Sequence, residues 1–249
     1  MSDRQRPPQR GGRLSERERT RIENRFGVVL VLLFFAVFFS IAAPEGSWPL
    51  LLTTVVLATT LGIAMRASGV QPKIVWAWLG VGLLTVGASV LIALTLETST
   101  AGGYLAIASL GLTAATIGAI ARRIRQQVEI SMLTVLGAVC IYVLVGLSFA
   151  FAYEVVGAFG SQPFFASQET ETRSDYVYFS FITMATIGYG DLAAQGGLGR
   201  ALAVTEGLLG QIYLVTAVAA LVGNLGRSRA PRQRRDKEVP GKDERRDGR

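Results

Sequence analysis

The stretch Thr186-Ile187-Gly188-Tyr189-Gly190-Asp191 decides the fold of this 249-residue chain. It lies between two long apolar segments, after a short amphipathic stretch and before a glycine-punctuated helix. Gly188 and Gly190 have no Cβ atom, so both accept the positive φ angles that other residues avoid. A Gly-Tyr-Gly triplet alone is also compatible with an ordinary glycine turn, so the choice depends on the sequence around it.

The hexapeptide TIGYGD resembles the selectivity-filter signature of potassium channels. A potassium ion loses its hydration water in a narrow pore, and rings of backbone carbonyl groups replace that water. The resemblance assigns the coordinating carbonyls to four consecutive residues, Thr186, Ile187, Gly188 and Tyr189, and makes Gly190 part of the filter. It also implies that the side chains of Ile187 and Tyr189 point away from the ions into supporting protein. No cofactor is expected apart from the permeant potassium ions.

The residues immediately before the filter, 174–185, predict a short helix with Ser174 or Asp175 as its N-cap. The segment is too short to cross a bilayer, which takes ~20 residues. It therefore resembles a re-entrant pore helix whose negative C-terminal end favours a cation in the cavity below. Two residues depart from the family pattern: Ile182 stands where some bacterial members carry Glu, and Ala185 stands where Thr is common.

The same resemblance assigns several residues to the support of the filter. Phe179 is expected to buttress Tyr189, and Tyr178 is expected to hydrogen-bond Asp191. Thr183 belongs to the same supporting set. These assignments predict that the pore helix fixes the outer part of the filter through aromatic packing and one hydrogen bond.

Glu206 is an ionisable residue about two turns into the helix that follows the filter. Carboxylates at membrane depth are costly and usually face protein or water. One interpretation places Glu206 in the wet outer vestibule as an ordinary solvated charge. The other places it behind the filter, near Ser180 or Thr183, where its protonation tunes the stability of the filter.

The helix after the filter is predicted to line the pore. Small residues recur along it, and Gly210 matches the hinge position of the family's inner helix. Small residues also let helices pack closely in lipid, and the sequence does not separate packing from a hinge. By the same match, Leu214 and Val218 face the cavity, with Val222 nearer the inner mouth.

The apolar residues, half of the chain, occur in blocks that predict an all-α polytopic membrane protein. Six spans are predicted, at Phe26–Ala43, Leu50–Met65, Ile74–Leu96, Gly103–Ala121, Met132–Val156 and Gly199–Gly226. The chain then divides into a disordered basic tail at 1–25, a four-span domain at 26–125, a pore domain at 126–227 and a disordered tail at 228–249. The second span is the shortest of the six.

The basic residues predict the orientation of the chain. With the N-terminus inside, only Arg173 and Arg200 of the 25 Lys and Arg residues fall outside, which is the positive-inside pattern. Both termini are therefore expected in the cytoplasm. The outer segments carry acidic residues that are expected to raise the local cation concentration. These are Glu45, Glu97, Glu154, Glu169, Glu171, Asp175 and Asp191.

The fourth span lacks the charges of a voltage sensor. Steep voltage gating takes about three to four charges per subunit inside the membrane. Span 4 contains no Lys or Arg, and Arg122, Arg123 and Arg125 follow at its cytoplasmic exit. The main interpretation makes these arginines anchors at the membrane surface, and the alternative makes them a truncated sensor. The first four spans are therefore predicted not to sense voltage.

These features together predict a potassium-selective channel of the plasma membrane that conducts passively and is insensitive to voltage. The alternatives are a weakly voltage-gated potassium channel, a subunit of a potassium uptake transporter and a non-conducting membrane regulator. The resemblance implies a homotetramer, because a carbonyl ring needs four filter strands.

The remaining composition bears on partners and chemistry. The basic residues cluster beside membrane ends, which favours anionic lipid over nucleic acid as a partner. The chain contains no His and a single Cys, Cys140, which is most simply an apolar filler. No nucleophile motif, carboxylate pair or phosphate-binding loop is found, so the sequence gives no case for an enzyme.

Overall fold

The computed structural model describes residues 16–42, 47–67, 99–126, 132–167 and 171–228, and three single positions, 80, 84 and 87. The five continuous ranges form six helices. The helices are α1 (Glu16–Ala42), α2 (Ser47–Ala67), α3 (Ser99–Arg125), α4 (Met132–Phe159), α5 (Arg173–Met184) and α6 (Gly196–Ser228). The only β-type pairing in this part of the chain is an isolated bridge between Phe165 and Ala194. The described fold is therefore all-helical, as predicted.

The helices lie close to the predicted spans, with two differences. Helix α1 begins at Glu16, so residues 16–25 are helical although the tail 1–25 was expected to be disordered. The Glu and Arg residues of this segment have high helix propensity, which continues the apolar helix toward the N-terminus. The third predicted span, Ile74–Leu96, lies outside the described residues apart from the three single positions, as does the C-terminal tail beyond 228.

Within the described ranges, three helices contain segments long and apolar enough to cross a membrane. They are Gly102–Arg125, Thr134–Phe159 and Gly196–Ala220. The segment Phe26–Ala42 is apolar but shorter. A membrane protein is consistent with these helices, whereas the number of six spans stays a prediction.

Helix α4 is the centre of the fold, because α1, α3, α5 and α6 all pack against it. The core joins Phe26, Val29 and Leu33 of α1 to Cys140 and Leu144 of α4. Cys140 is buried there with its thiol near the Phe26 carbonyl, as expected for an apolar filler. The predicted four-span domain is thus in direct contact with the pore domain.

Helices α3 and α4 fit closely along their length. A Cβ atom on Gly103 would lie 2.7 Å from the Ala158 side chain, and one on Gly137 would lie 3.0 Å from the Ile124 side chain. Between these two ends, Ser148 donates a hydrogen bond to Thr113 over 3.0 Å. The missing side chains of the glycines allow the two helices to touch at both ends.

The short helix α5 is capped two to three residues earlier than predicted. Its N-cap is Thr172, whose hydroxyl accepts from the Asp175 amide, while the Asp175 carboxylate accepts from the Thr172 amide over 2.9 Å. This reciprocal arrangement is a capping box. The prediction of Ser174 or Asp175 as N-cap is wrong, because Asp175 is the third helical residue and serves the box from inside.

The C-terminal end of α5 is clamped between the two long helices of the pore domain. Met184 is fully buried. A Cβ atom on Gly146 of α4 would lie 2.9 Å from its Cε, and one on Gly210 of α6 would lie 2.7 Å from its Cγ. Both glycines let the helices close around the end of α5, and the fit is least adaptable at Gly210, where an added Cβ would also lie 2.9 Å from the Met184 carbonyl oxygen.

Candidate ion-conducting site

The backbone φ angle is positive at every second residue of the predicted filter. Positive φ angles occur at Thr186 (55°), Gly188 (56°) and Gly190 (82°), whereas Ile187 and Tyr189 between them are not in this region. Gly188 and Gly190 were predicted to supply positive φ. Thr186 was not, and it is the only described residue other than glycine with such a φ. A β-branched residue in this conformation is strained, so the surroundings must hold it there.

The end of the pore helix holds this strained segment through hydrogen bonds. The Thr186 amide donates to the Thr183 carbonyl over 3.0 Å. The amides of Ile187 and Gly188 both donate to the Ile182 carbonyl, over 2.8 and 3.3 Å. The carbonyls that a helix leaves unpaired at its C-terminus thus anchor the first three residues of the filter. Thr183 supports the filter in this structure through its backbone.

The outer end of the filter is tied to the pore helix by the predicted hydrogen bond. Tyr178 donates to the Asp191 carboxylate over 2.8 Å. This hydrogen bond raises the pKa of the Tyr178 phenol, which stays a neutral donor at physiological pH. Ser167 also donates to the Asp191 carbonyl over 3.2 Å.

The side chains of Ile187 and Tyr189 are not covered within the chain, since they are 53% and 72% exposed. Phe179 instead packs against the rings of Tyr153, Phe164 and Phe165, at centroid distances of 5.2 to 6.0 Å. The predicted support of Tyr189 by Phe179 stays a prediction. Within one chain, Phe179 belongs to a different cluster.

An aromatic cluster lies behind the filter and connects it to the segment between α4 and α5. Its buried members are Tyr153, Phe164, Phe165, Tyr176, Phe179, Leu192 and Ala194. Phe164 and Phe165 of this segment are buried in the cluster. The Gln195 amide donates to the Phe164 carbonyl over 2.6 Å, and the Ala166 amide donates to the Ala193 carbonyl over 3.1 Å. The residues after the filter are therefore fixed to this segment.

Besides Asp191, three of the predicted outer acidic residues have structural partners. Glu154 forms an ion pair with Arg173, with the Arg173 Nη2 2.9 Å from its Oε1. Glu171 accepts from the Phe165 amide over 2.7 Å and from the Tyr176 hydroxyl, and Asp175 forms the capping box. Asp191 is exposed at the filter. Glu45, Glu97 and Glu169 lie outside the described residues.

Glu206 is 0% exposed and lies behind the pore helix. Its Oε2 accepts from the Tyr153 hydroxyl of α4, and its Oε1 is bonded to the Ser180 hydroxyl of α5, both over 2.5 Å. Ser180 was one of the two neighbours predicted for a residue behind the filter. The interpretation as a solvated charge in the outer vestibule is wrong in this structure, because the residue is sealed between three helices.

The residues predicted to line the pore lie on the exposed side of α6. Leu214 and Val218 are both exposed within one chain, and Val222 is exposed one turn further. The helix runs without interruption through Gly210, and its contact with Met184 gives that glycine a packing role. The hinge stays a prediction. Gln211 was missed by the sequence analysis, and its Nε2 lies 3.5 Å from the Thr186 hydroxyl.

Comparison with known proteins found a family match over part of the chain. Residues 130–226 match the model of a family described as ion channel. The match covers α4, α5, the predicted filter and almost all of α6. No curated protein matches the chain. The match and the long apolar helices support a membrane-embedded ion channel and point to a channel protein rather than an enzyme.

Proposed function

We propose that this protein is a potassium-selective channel that conducts passively across the plasma membrane. The observation that supports this proposal is the backbone conformation of the filter, in which φ is positive at every second residue from Thr186 to Gly190. Such a backbone lets successive carbonyl groups face one side, where they replace the hydration shell of a potassium ion. The coordinating carbonyls are those of Thr186, Ile187, Gly188 and Tyr189.

The proposed channel is a homotetramer, since one chain supplies one filter strand and a ring needs four. The exposed surface of α6 supports this assembly. Apolar side chains are exposed along its length, among them Val204, Leu208, Ile212, Val215 and Val218. In a tetramer, part of this surface packs against neighbouring subunits and part faces the cavity. A neighbouring subunit then also supplies the cover for Ile187 and Tyr189.

The proposed channel is insensitive to voltage. A sensor helix must move relative to the pore, and it must carry charge through the membrane field. Helix α3 has its basic residues in the last turn only. It also touches α4 at both ends through Gly103 and Gly137, so sliding it past α4 drives side chains into each other. Both observations favour a fixed α3.

The proposed orientation has both termini in the cytoplasm. Helix α3 then ends at the cytoplasmic face with Arg122, Arg123 and Arg125, and the turn that carries Asp191 lies outside. The proposed partners are potassium ions, three further copies of the chain and anionic lipid at the cytoplasmic surface.

Single-channel recording on purified full-length protein in lipid bilayers tests this proposal. With unequal potassium concentrations on the two sides and sodium as the balancing cation, we expect the current to reverse near the potassium equilibrium potential. Tyr189→Asp is expected to widen the outer filter and admit sodium. A wild-type current without preference for potassium would contradict the proposal.

Cross-linking and native mass measurement test the assembly. We expect a tetramer as the conducting species. A stable monomer or dimer that conducts would show that the exposed face of α6 serves another purpose.

A further inference from the structure

Three short oxygen–oxygen contacts meet around Glu206. The Tyr153 hydroxyl lies 2.5 Å from Oε2, and the Ser180 hydroxyl lies 2.5 Å from Oε1. The same Ser180 hydroxyl lies 2.6 Å from the Gly146 carbonyl oxygen. Distances at this short end of the O–H···O range require a proton between each pair of oxygens, since two bare acceptors repel each other.

The hydroxyl groups supply too few protons for these contacts. Tyr153 and Ser180 each carry one hydroxyl proton, and the Gly146 carbonyl can only accept. Two protons cannot serve three contacts. The third proton has to come from Glu206, because a protonated carboxyl group has one O–H donor.

One arrangement of protons satisfies every contact. Glu206 Oε1 donates to the Ser180 hydroxyl, and Ser180 donates to the Gly146 carbonyl. Tyr153 donates to the remaining oxygen of Glu206, Oε2. If Glu206 were a carboxylate, the single proton of Ser180 could serve only Gly146 or Glu206. The Ser180 oxygen would then face the other buried acceptor without a proton between them.

The neighbours of Glu206 in the described part of the chain are neutral groups. Among the described residues, Glu206 forms no ion pair. The titratable groups that face it are the phenols of Tyr153 and Tyr142 on α4, and Ser180 faces it from α5. An uncompensated buried charge is far more costly than a buried hydrogen-bonded neutral group.

We propose that Glu206 is a neutral carboxylic acid and acts, with Tyr153 and Ser180, as a positioning residue that holds the filter in its conducting form. Together with the Gly146 carbonyl, these three side chains link α4, α5 and α6 at one point. Ser180 lies one turn before Met184, and the carbonyls of that last turn anchor the filter amides. Loss of the proton from Glu206 breaks one of the two bonds of Ser180 and loosens the pore helix. This functional step rests on the proposed function, whereas the protonation state does not.

Infrared difference spectroscopy on the full-length protein in lipid vesicles tests the protonation state without any need for conduction. The spectrum of the wild type minus that of Glu206→Gln is expected to show a carboxylic-acid carbonyl band at neutral pH. Tyr153→Phe and Ser180→Ala are expected to shift this band. The matched control Tyr104→Phe removes the hydroxyl of an exposed tyrosine on α3 and is expected to leave the band unchanged. A difference spectrum with carboxylate bands alone would overturn the proposal.

Single-channel recording tests the positioning role. The carboxamide of Glu206→Gln can donate to Ser180 and accept from Tyr153, so we expect its open probability at neutral pH to equal that of the wild type. Glu206→Ala loses both bonds and is expected to show a severalfold lower open probability. As the pH rises, the wild type is expected to lose activity and Glu206→Gln to keep it. Collapse of Glu206→Gln at neutral pH would overturn the proposal, because a charged Glu206 would then be the active form.

The two measurements separate the two possible failures. A carboxylic-acid band in a protein that does not select potassium would support the protonation state and contradict the proposed function. A potassium-selective current together with carboxylate bands alone would support the proposed function and contradict the protonation state.

Discussion

Helix α4 packs against two regions that are held in different ways. Toward α3, glycine residues let apolar side chains approach, and Ser148 donates a hydrogen bond to Thr113. Toward α5 and α6, the contact contains a buried carboxyl group, two hydroxyl groups and a backbone carbonyl. Apolar contacts fix how closely two helices lie, whereas hydrogen bonds fix individual atoms. The hydrogen bonds around Glu206 therefore lie on the side of α4 that faces α5, the helix that anchors the proposed filter.

The largest effect is expected from Gly188→Ala in the filter. An Ala residue at a φ of 56° costs roughly 1–2 kcal/mol relative to glycine, and a tetramer contains four copies. We expect potassium selectivity or conduction to be lost, as measured by reversal potentials in bilayers. Gly111→Ala on α3 is the matched control, since a Cβ there meets open space. If Gly188→Ala kept the wild-type preference for potassium over sodium, the filter assignment would be wrong.

A smaller but clear effect is expected from Gly210→Ala. The added Cβ would lie 2.9 Å from the Met184 carbonyl oxygen, and backbone atoms cannot move aside at low cost. Overpacking of this kind costs about 1–3 kcal/mol, so we expect a lower thermal stability of the purified protein. Gly223→Ala on the same helix is the control, because no atom lies near its added Cβ.

The same variant distinguishes packing from a hinge. If Gly210 serves packing, stability and conduction are expected to fall together. If it serves as a hinge, stability is expected to stay unchanged or rise while the open probability shifts, since Ala favours a straight helix by about 1 kcal/mol over glycine.

Gly103→Ala tests the other region. Its Cβ would lie 2.7 Å from the Ala158 side chain and 2.8 Å from the Phe159 ring, so the outer ends of α3 and α4 must separate. We expect reduced thermal stability by about 1–3 kcal/mol with unchanged potassium selectivity. A change of selectivity in this variant would show that the α3–α4 contact also positions the filter, and the distinction between the two regions would fail.

The sequence carried more information on the filter than on its support. The short helix and the positive φ of Gly188 and Gly190 follow from local sequence, the bond from Tyr178 to Asp191 was implied by the family resemblance, and the structure contains all of them. The N-cap Thr172 could also have been predicted from the sequence, because Thr172 and Asp175 have the spacing of a capping box. It was missed because Ser174 and Asp175 are good N-cap residues themselves.

The remaining features depend on contacts between distant segments. Phe164 and Phe165 lie in a polar stretch, and only the fold brings them onto Phe179. The position of Glu206 in a helix predicts its depth, but whether it faces water or Tyr153 depends on the rotation of α6 against α4. The positive φ of Thr186 is imposed by the carbonyls at the end of α5, and threonine itself does not favour it.

The smallest effect is expected from neutralising Arg122, Arg123 and Arg125 together. Moving one charge through 100 mV yields about 2.3 kcal/mol, so steep gating requires several charges that cross the membrane field. These arginines occupy the last turn of α3, and outward movement would carry them into a span without charged partners. The contact of Gly137 with Ile124 further opposes such a movement. We therefore expect the open probability of the wild type to vary weakly with voltage.

Neutralisation of the three arginines is expected to lower expression or insertion, because the arginines set the orientation of the chain. Replacing Arg66 at the end of α2 by Gln is a control for the loss of a basic residue elsewhere in the chain. A steep activation curve in the wild type that shifts when the three arginines are neutralised would show that α3 senses voltage.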